Sequence, residues 1–253
     1  MKSVPIFLIN LDRSADRLAR CSQSLSELGL EWERVPAVDG SQLDPDWLSR
    51  LNPHPAPHGE WFRRLTAGEL GCFLSHLRCW QLIVERDLDC ALILEDDFAP
   101  EPILSASNLA LLGKNPENWD LVKLSRLGKY AKPCLRLSDE IELCHWGQGP
   151  VDGTAYLVSR RGAAKLVVQR EHIYRPVDFD FKHWWERDLE LLAAQPDFFR
   201  QRSHEEAASI IGGRSDYRRY PLCRKLKVYL SKWCYHLRFL LAKQLGIGRR
   251  RLL

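Results

Sequence analysis

Leu92-Ile93-Leu94 runs directly into Glu95-Asp96-Asp97, so an apolar segment ends in three consecutive carboxylates. Adjacent negative charges at the edge of a core repel one another and lose hydration, which costs stability unless a cation or hydrogen-bond donors compensate. A hard divalent ion, manganese or magnesium, takes oxygen ligands and shares its remaining positions with phosphate oxygens. Asp97 and Glu95 are therefore the candidate metal ligands, and Glu95 and Asp96 the candidate contacts to a nucleotide diphosphate. A solvated acidic turn is the plainer alternative, but three acids directly after an apolar run favour the metal.

Asp178 and Asp180 alternate with apolar residues in Pro176-Val177-Asp178-Phe179-Asp180-Phe181, ahead of His183, Trp184 and Trp185. A carboxylate in a partly apolar pocket can have its pKa raised to suit a general base. A helix N-cap at Asp178 accounts for the pattern equally well. Asp152, just before the strand-like Gly153 to Ser159, is a further candidate base. Near the start, Asn10, Asp12, Arg13 and Arg17 follow an apolar run; Asp12 can bond a ribose or uracil group, and the guanidinium groups pair with phosphate oxygens. Helix capping and ion pairing explain that segment as simply. Ser75-His76 falls within a helical pattern, where a buried, hydrogen-bonded histidine is a better reading than metal ligation, because no second ligand is spaced for it.

These residues need elements to hold them. Val4 to Ile9 predicts a strand buried on both faces, Ser14 to Leu28 a helix stopped by Gly29, and Trp32 to Val38 a second strand. Thr66-Ala67-Gly68-Glu69 has capping-box spacing at the head of an apolar helical stripe. Cys90 to Leu94, Trp119 to Leu124 and Gly153 to Ser159 predict strands, Arg160 to Arg170 a helix, and Leu189 to Ala194 either one. Residues 41–66, with Pro45, Pro53, Pro55 and Pro57 among His54, His58 and Trp61, predict a long surface loop. Strands alternating with helices imply an α/β sandwich with a mostly parallel central sheet, whose ligands bind at the carboxyl ends of the strands. No Gly-rich dinucleotide fingerprint or phosphate-binding loop is present.

In this order, Ile9 to Arg13 with Arg17, Leu65 to His76, Ile93 to Asp97, Gly153 to Ser159 with Gly162-Ala163, and Pro176-Val177-Asp178 resemble glycosyltransferase family 25, the group of bacterial lipooligosaccharide and animal collagen galactosyltransferases. The resemblance implies a GT-A type Rossmann-like fold, a UDP-sugar donor, often UDP-galactose, and a metal motif here reading Glu95-Asp96-Asp97. It places Asn10, Asp12 and Arg13 in the donor-binding segment, Ser75 and His76 in the helix beneath the site, and Asp178 in a Pro-x-Asp segment. It also implies an inverting displacement, with a lipooligosaccharide, LPS or other glycan as acceptor. A carbohydrate-binding scaffold and a metal-dependent nucleotidyltransferase are the rival readings.

With 45% hydrophobic and 28% charged residues in 253, the composition is that of a globular protein. Its net charge of +4 hides an asymmetry: residues 1–213 carry 25 Lys/Arg against 32 Asp/Glu, a net −7, and residues 214–253 carry 12 against 1, a net +11. The chain thus reads as a catalytic domain, 1–213, and a basic amphipathic helical tail, 214–253. Aromatic and leucine residues among the tail's lysines suit an anionic membrane surface; no nucleic-acid-binding motif accompanies them. Eight cysteines without a C-x-x-C pair read as reduced thiols. Without a cleavable leader or a stretch of roughly 20 apolar residues, the expected location is cytoplasmic, peripheral on the inner face of the membrane.

Overall fold

Strand β1, Ile6–Asn10, is buried along its whole length and pairs in parallel with β2, Glu33–Pro36, on one side and with β3, Cys90–Glu95, on the other. These are the apolar runs of the sequence, and helix α1, Ala15–Glu27, makes the crossover between the first two. The computed structural model describes residues 3–54, 63–125, 132–145, 152–168, 171–202, 230, 233–241 and 244–245.

The remaining strands of the main sheet are β5, Leu121–Lys123; β6, Lys132–Arg136; β7, Glu142–His145; β8, Ala155–Ser159; and β9, Leu191–Gln195. Their order is β2-β1-β3-β8-β5-β9-β7-β6. Pairing is antiparallel at β3–β8, β8–β5, β9–β7 and β7–β6, so β8 and β7 run against the other strands. The sheet is therefore mixed, with most strands sharing one direction, as expected. The ambiguous segment from Leu189 resolves as a strand because both faces of β9 are covered. The β6–β7 hairpin was not legible beforehand.

Helices α3, Ala67–Glu85, and α5, Arg160–Val167, cover one face, and α1 and α4, Ala106–Leu112, the other. On β3, Ala91 and Ile93 join the layer containing Phe73, Trp80 and Ile83, while Leu92 and Leu94 join the layer containing Leu25, Leu109 and Leu112. A strand packed on both faces has no polar side, which is why its sequence reads as an unbroken apolar run.

The capping box is present: Thr66 Oγ1 accepts from Glu69 N and the Glu69 carboxylate accepts from Thr66 N. Gly71 lets α3 lie backbone against backbone on the turn after β2; a Cβ there would stand 2.7 Å from Gly40 N. Ser75 reinforces that contact, its hydroxyl accepting from Val38 N at 2.8 Å and donating to Gly71 O at 2.7 Å.

The expected loop over 41–66 is corrected in part. Helix α2, Pro45–Leu51, forms there because Pro45 occupies the first turn, where no amide hydrogen is needed, and Asp44 accepts from Asp46 N and Trp47 N. Pro55, Pro57, His58 and Trp61 lie outside the described residues, as does the expected boundary at 213/214. Cys21, Cys72, Cys79, Cys90, Cys144 and Cys234 are free thiols. Among the described residues no helix is long and apolar enough to cross a membrane.

Away from the site, Asp120 is fully buried between Arg161 and Lys165, with Lys165 Nζ at 2.7 Å and Glu190 N donating at 2.8 Å. It is a buried carboxylate neutralised by cations of the same chain.

Candidate active site

At the carboxyl end of β3 the antiparallel partner β8 begins, and Glu95 N donates to Thr154 O at 2.9 Å. That crossing lays Asp152-Gly153-Thr154 beside the Glu95 side chain. Gly153 lets the two approach closely, since a Cβ there would meet Glu95 Oε1 and push that carboxylate aside. On the far side of β8, Ser125 follows β5 and donates to Asp152 Oδ2 at 2.7 Å, while Thr154 N donates to Asp152 Oδ1 at 2.7 Å.

Helix α3 supplies His76, fully buried, whose Nε2 lies 3.0 Å from Glu95 Oε1 and whose Nδ1 lies 2.8 Å from Tyr156 Oη. Trp80 Nε1 donates to the same Tyr156 Oη at 3.0 Å. A neutral ring that accepts from Tyr156 at Nδ1 and donates from Nε2–H to Glu95 is one arrangement that satisfies all these groups. Burial, aided by the Lys123 charge, pushes the His76 pKa down to about 3, so the ring is neutral and acts as a fixed hydrogen-bond donor. Cys72, His76 and Glu95 also place ligand atoms within 4.8 Å of one another. Both ring nitrogens lie at hydrogen-bond distance from protein oxygens, so the grouping reads as a hydrogen-bonded chain.

The three acids after β3 diverge in role. Asp96 is clamped: Oδ2 accepts from Asn10 Nδ2 at 2.8 Å and Oδ1 from Arg17 Nη1 at 2.9 Å. Asn10 is itself held by Arg34, whose Nε donates to Asn10 Oδ1 at 3.2 Å and whose other end meets Asp12. Asp97 enters a second, two-stranded sheet made by β4, Phe98–Pro100, and β10, Phe199–Gln201, where Gln201 Nε2 donates to its Oδ2 at 2.8 Å. Its Oδ1 is buried without a hydrogen-bond partner. Burial, then the neighbouring Glu95, pushes the Asp97 pKa up to about 7; burial, then Asp152 and Asp178, pushes that of Glu95 up to about 8.

Lys123 is the cation the sequence reading missed. It is fully buried on β5, its ammonium donates to the Asp152 carbonyl, and it lies 5.8 Å and 5.9 Å from the ring centres of Tyr156 and Phe181. Burial pulls its pKa below the ordinary lysine value, against the opposing fields of Asp152, Glu95 and Asp178. The Asp152 carboxyl, despite burial, is held below its ordinary range by Lys123 and by the hydrogen bonds from Thr154 and Ser125. The only sequence signal for Lys123 was a lone lysine inside the run Leu121 to Leu124.

Asp178 lies in the short helix α6, Val177–Phe181, anchored by Phe181 against Tyr156 at 5.0 Å and Trp80 at 6.1 Å. Its charge acts on Glu95, His76 and Lys123, so it belongs to the same acidic centre. It is not the N-cap, a position taken by Pro176. Asp180 points elsewhere, into a buried pair with Arg175 at 3.0 Å that also includes Glu186. Asp12, largely exposed, pairs with Arg34, and Arg13 pairs with Asp39. The structure thus couples Glu95 electrostatically to Asp97, Asp152, Asp178 and Lys123 and hydrogen-bonds it to His76, places Asn10 and Arg17 on Asp96, and leaves Ser75 in the helix packing.

A divalent ion fits this donor set. The Asp97 oxygen without a partner, and an Asp97 carboxyl raised by burial and by the neighbouring Glu95, are what such an ion would relieve, and the carboxylate donors are hard oxygens. Fold and site together define a mixed α/β domain with a group of acidic side chains at the carboxyl end of a central strand. The chain matches the model of glycosyltransferase family 25 (LPS biosynthesis protein) over residues 3–180, and it belongs to that family. A glycosyltransferase 25 family member of Drosophila pseudoobscura pseudoobscura is 33% identical over 215 residues, covering 76% of this chain and 33% of that protein. Human procollagen galactosyltransferase 2 is 30% identical over 217 residues, covering 76% and 34%. The chain therefore spans about a third of the length of these relatives. Among solved structures, the galactosyltransferase LgtC in complex with donor and acceptor sugar analogues aligns at 13% identity and a TM-score of 0.34, over 73% of this chain and 64% of that one, a likeness too distant to bear on the site.

Proposed function

We propose that this protein transfers a sugar, galactose by its kinship with the procollagen galactosyltransferases, from a UDP-sugar to a hydroxyl of a glycan acceptor such as a lipooligosaccharide or LPS. The observation that carries the reading is Asp97, in the turn that follows a buried strand ending at Glu95, with one oxygen unpartnered and its pKa pushed up to about 7. Asp97 and Glu95 would hold a manganese or magnesium ion. Neutralising the charge that grows on the departing diphosphate is the chemistry such an ion supplies.

The transfer is a single displacement that inverts the anomeric centre. The acceptor oxygen bonds to the anomeric carbon, the bond from that carbon to the diphosphate breaks, and the acceptor proton passes to a carboxylate. Asp178 is that carboxylate. Its place in the Pro-x-Asp segment and its electrostatic coupling to Glu95 and Lys123 support the assignment; Asp152, with a depressed pKa, and Asp180, ion-paired with Arg175, are weaker bases. His76 keeps Glu95 oriented, and Asn10, at the end of β1, with Arg17 fixes Asp96.

Asp178→Asn tests the assignment. The variant retains UDP-sugar binding, measured by calorimetry, and loses transfer by about 10²- to 10⁴-fold. Turnover near that of the parent moves the base to another residue, and failure of every UDP-sugar to bind overturns the reading as a whole.

A further inference from the structure

The tail helix, residues 233–241, has two apolar faces. Tyr235 and Phe239, one turn apart, dock on the aromatic segment that follows α6. Tyr235 lies 5.1 Å from His183 and 5.4 Å from Trp185, and Phe239 lies 6.3 Å from Trp184 and 6.1 Å from Trp185. Tyr235 Oη also donates to Lys182 O at 3.5 Å. This face accounts for how the helix is held.

Trp233, Leu237, Leu240 and Leu241 stand at i, i+4, i+7 and i+8, which puts them on a single stripe of an α-helix. At 100° per residue that stripe is nearly opposite the docked pair. All four are exposed, Trp233 by 65%. A row of four large apolar side chains turned to water is not what an isolated globular domain keeps.

Charge identifies the occupant. Residues 214–253 carry 12 Lys/Arg against 1 Asp/Glu, whereas residues 1–213 are net negative, so the chain has its basic charge concentrated in the segment that bears the stripe. A second copy seated on the stripe would bring two strongly basic tails together. An anionic surface with an apolar interior satisfies both properties at once, and an acidic body repelled by the same surface orients the molecule tail-first. We infer that the outer face of the tail helix docks on an anionic phospholipid bilayer while its inner face holds the α6 segment, so that Asp178 works next to a lipid surface. The last clause rests on the catalytic reading above; the docking does not.

Sedimentation of the full chain with phosphatidylglycerol vesicles tests the inference, with phosphatidylcholine vesicles as the neutral comparison. Binding to the anionic vesicles is at least about tenfold stronger and falls as salt is raised. The double variant Leu237→Gln, Leu241→Gln weakens it by at least about tenfold and leaves the melting temperature and UDP release in solution unchanged, because neither residue packs on the core. Equal binding by variant and parent, indifference to lipid charge, or a stripe-dependent dimer that ignores vesicles would each overturn the docking. Vesicle binding without any UDP release would overturn the catalytic reading alone.

Discussion

Lys123 decides how far the acidic centre can compensate itself. Its ammonium sits amid Asp152, Glu95 and Asp178, where removing one partner of a buried ionic group leaves the others uncompensated. Lys123→Met keeps the apolar stem over Tyr156 and Phe181 and removes only the charge. The variant should lose about 3–5 kcal/mol in urea unfolding of the metal-free protein, with part of the loss returned by manganese. A loss below about 1 kcal/mol would mean that the ammonium is not what keeps these carboxylates together. His76 has a different part: neutral and pinned by Tyr156, it adds direction and no charge.

At the level of elements, the site exists because β8 runs against β3 and delivers Gly153 to Glu95. In Gly153→Ala the new methyl displaces the Glu95 carboxylate from His76. The expected cost is about 1–3 kcal/mol, typical of overpacking, and manganese protection of the fold should weaken with it. Unchanged manganese protection, read by thermal melts across a metal titration, would exclude Glu95 from the ion. The sequence announced β1, α1, α3, β3 and β8 plainly, because each is either an unbroken apolar run or an apolar stripe with a recognisable cap. It did not announce that β8 reverses, that β10 returns to pair with β4 and carries Gln201 to Asp97, or that Asn10 would meet Asp96 across 86 positions. Those contacts are set by strand order, which local periodicity does not encode. The misreading of α2 as loop had a local cause: prolines were counted as breakers when Pro45, after Asp44, is a helix starter.

For the molecule as a whole, the displaced pKa values link stability to pH. Glu95 at about 8 and Asp97 at about 7 lie above their ordinary 4.5 and 3.8, and Glu190, mainly through burial, is pushed up to about 7. The folded chain keeps protons there that the unfolded chain has released, so stability from these groups is complete at low pH and is lost as pH rises through the folded values. His76 at about 3 and His183, lowered chiefly by burial to about 4, act in the opposite direction as pH falls below 6.5. Above 6.5 the histidine contribution is spent and the raised carboxyls act. The metal-free protein should therefore melt at progressively lower temperature from pH 6.5 to about 8, and manganese should raise the melting temperature more at the upper end. A flat profile in scanning calorimetry would show that the cluster is ionised without strain.

Asp120 gives that expectation an internal control. It is buried more completely than Asp97, yet two cations from α5 neutralise it from within. Asp97 receives a neutral amide instead. The same fold thus builds one closed carboxylate and one whose described hydrogen-bond partner is a neutral amide; with the proposed ion bound there, its working charge would follow the free divalent-ion level of its surroundings as well as the chain.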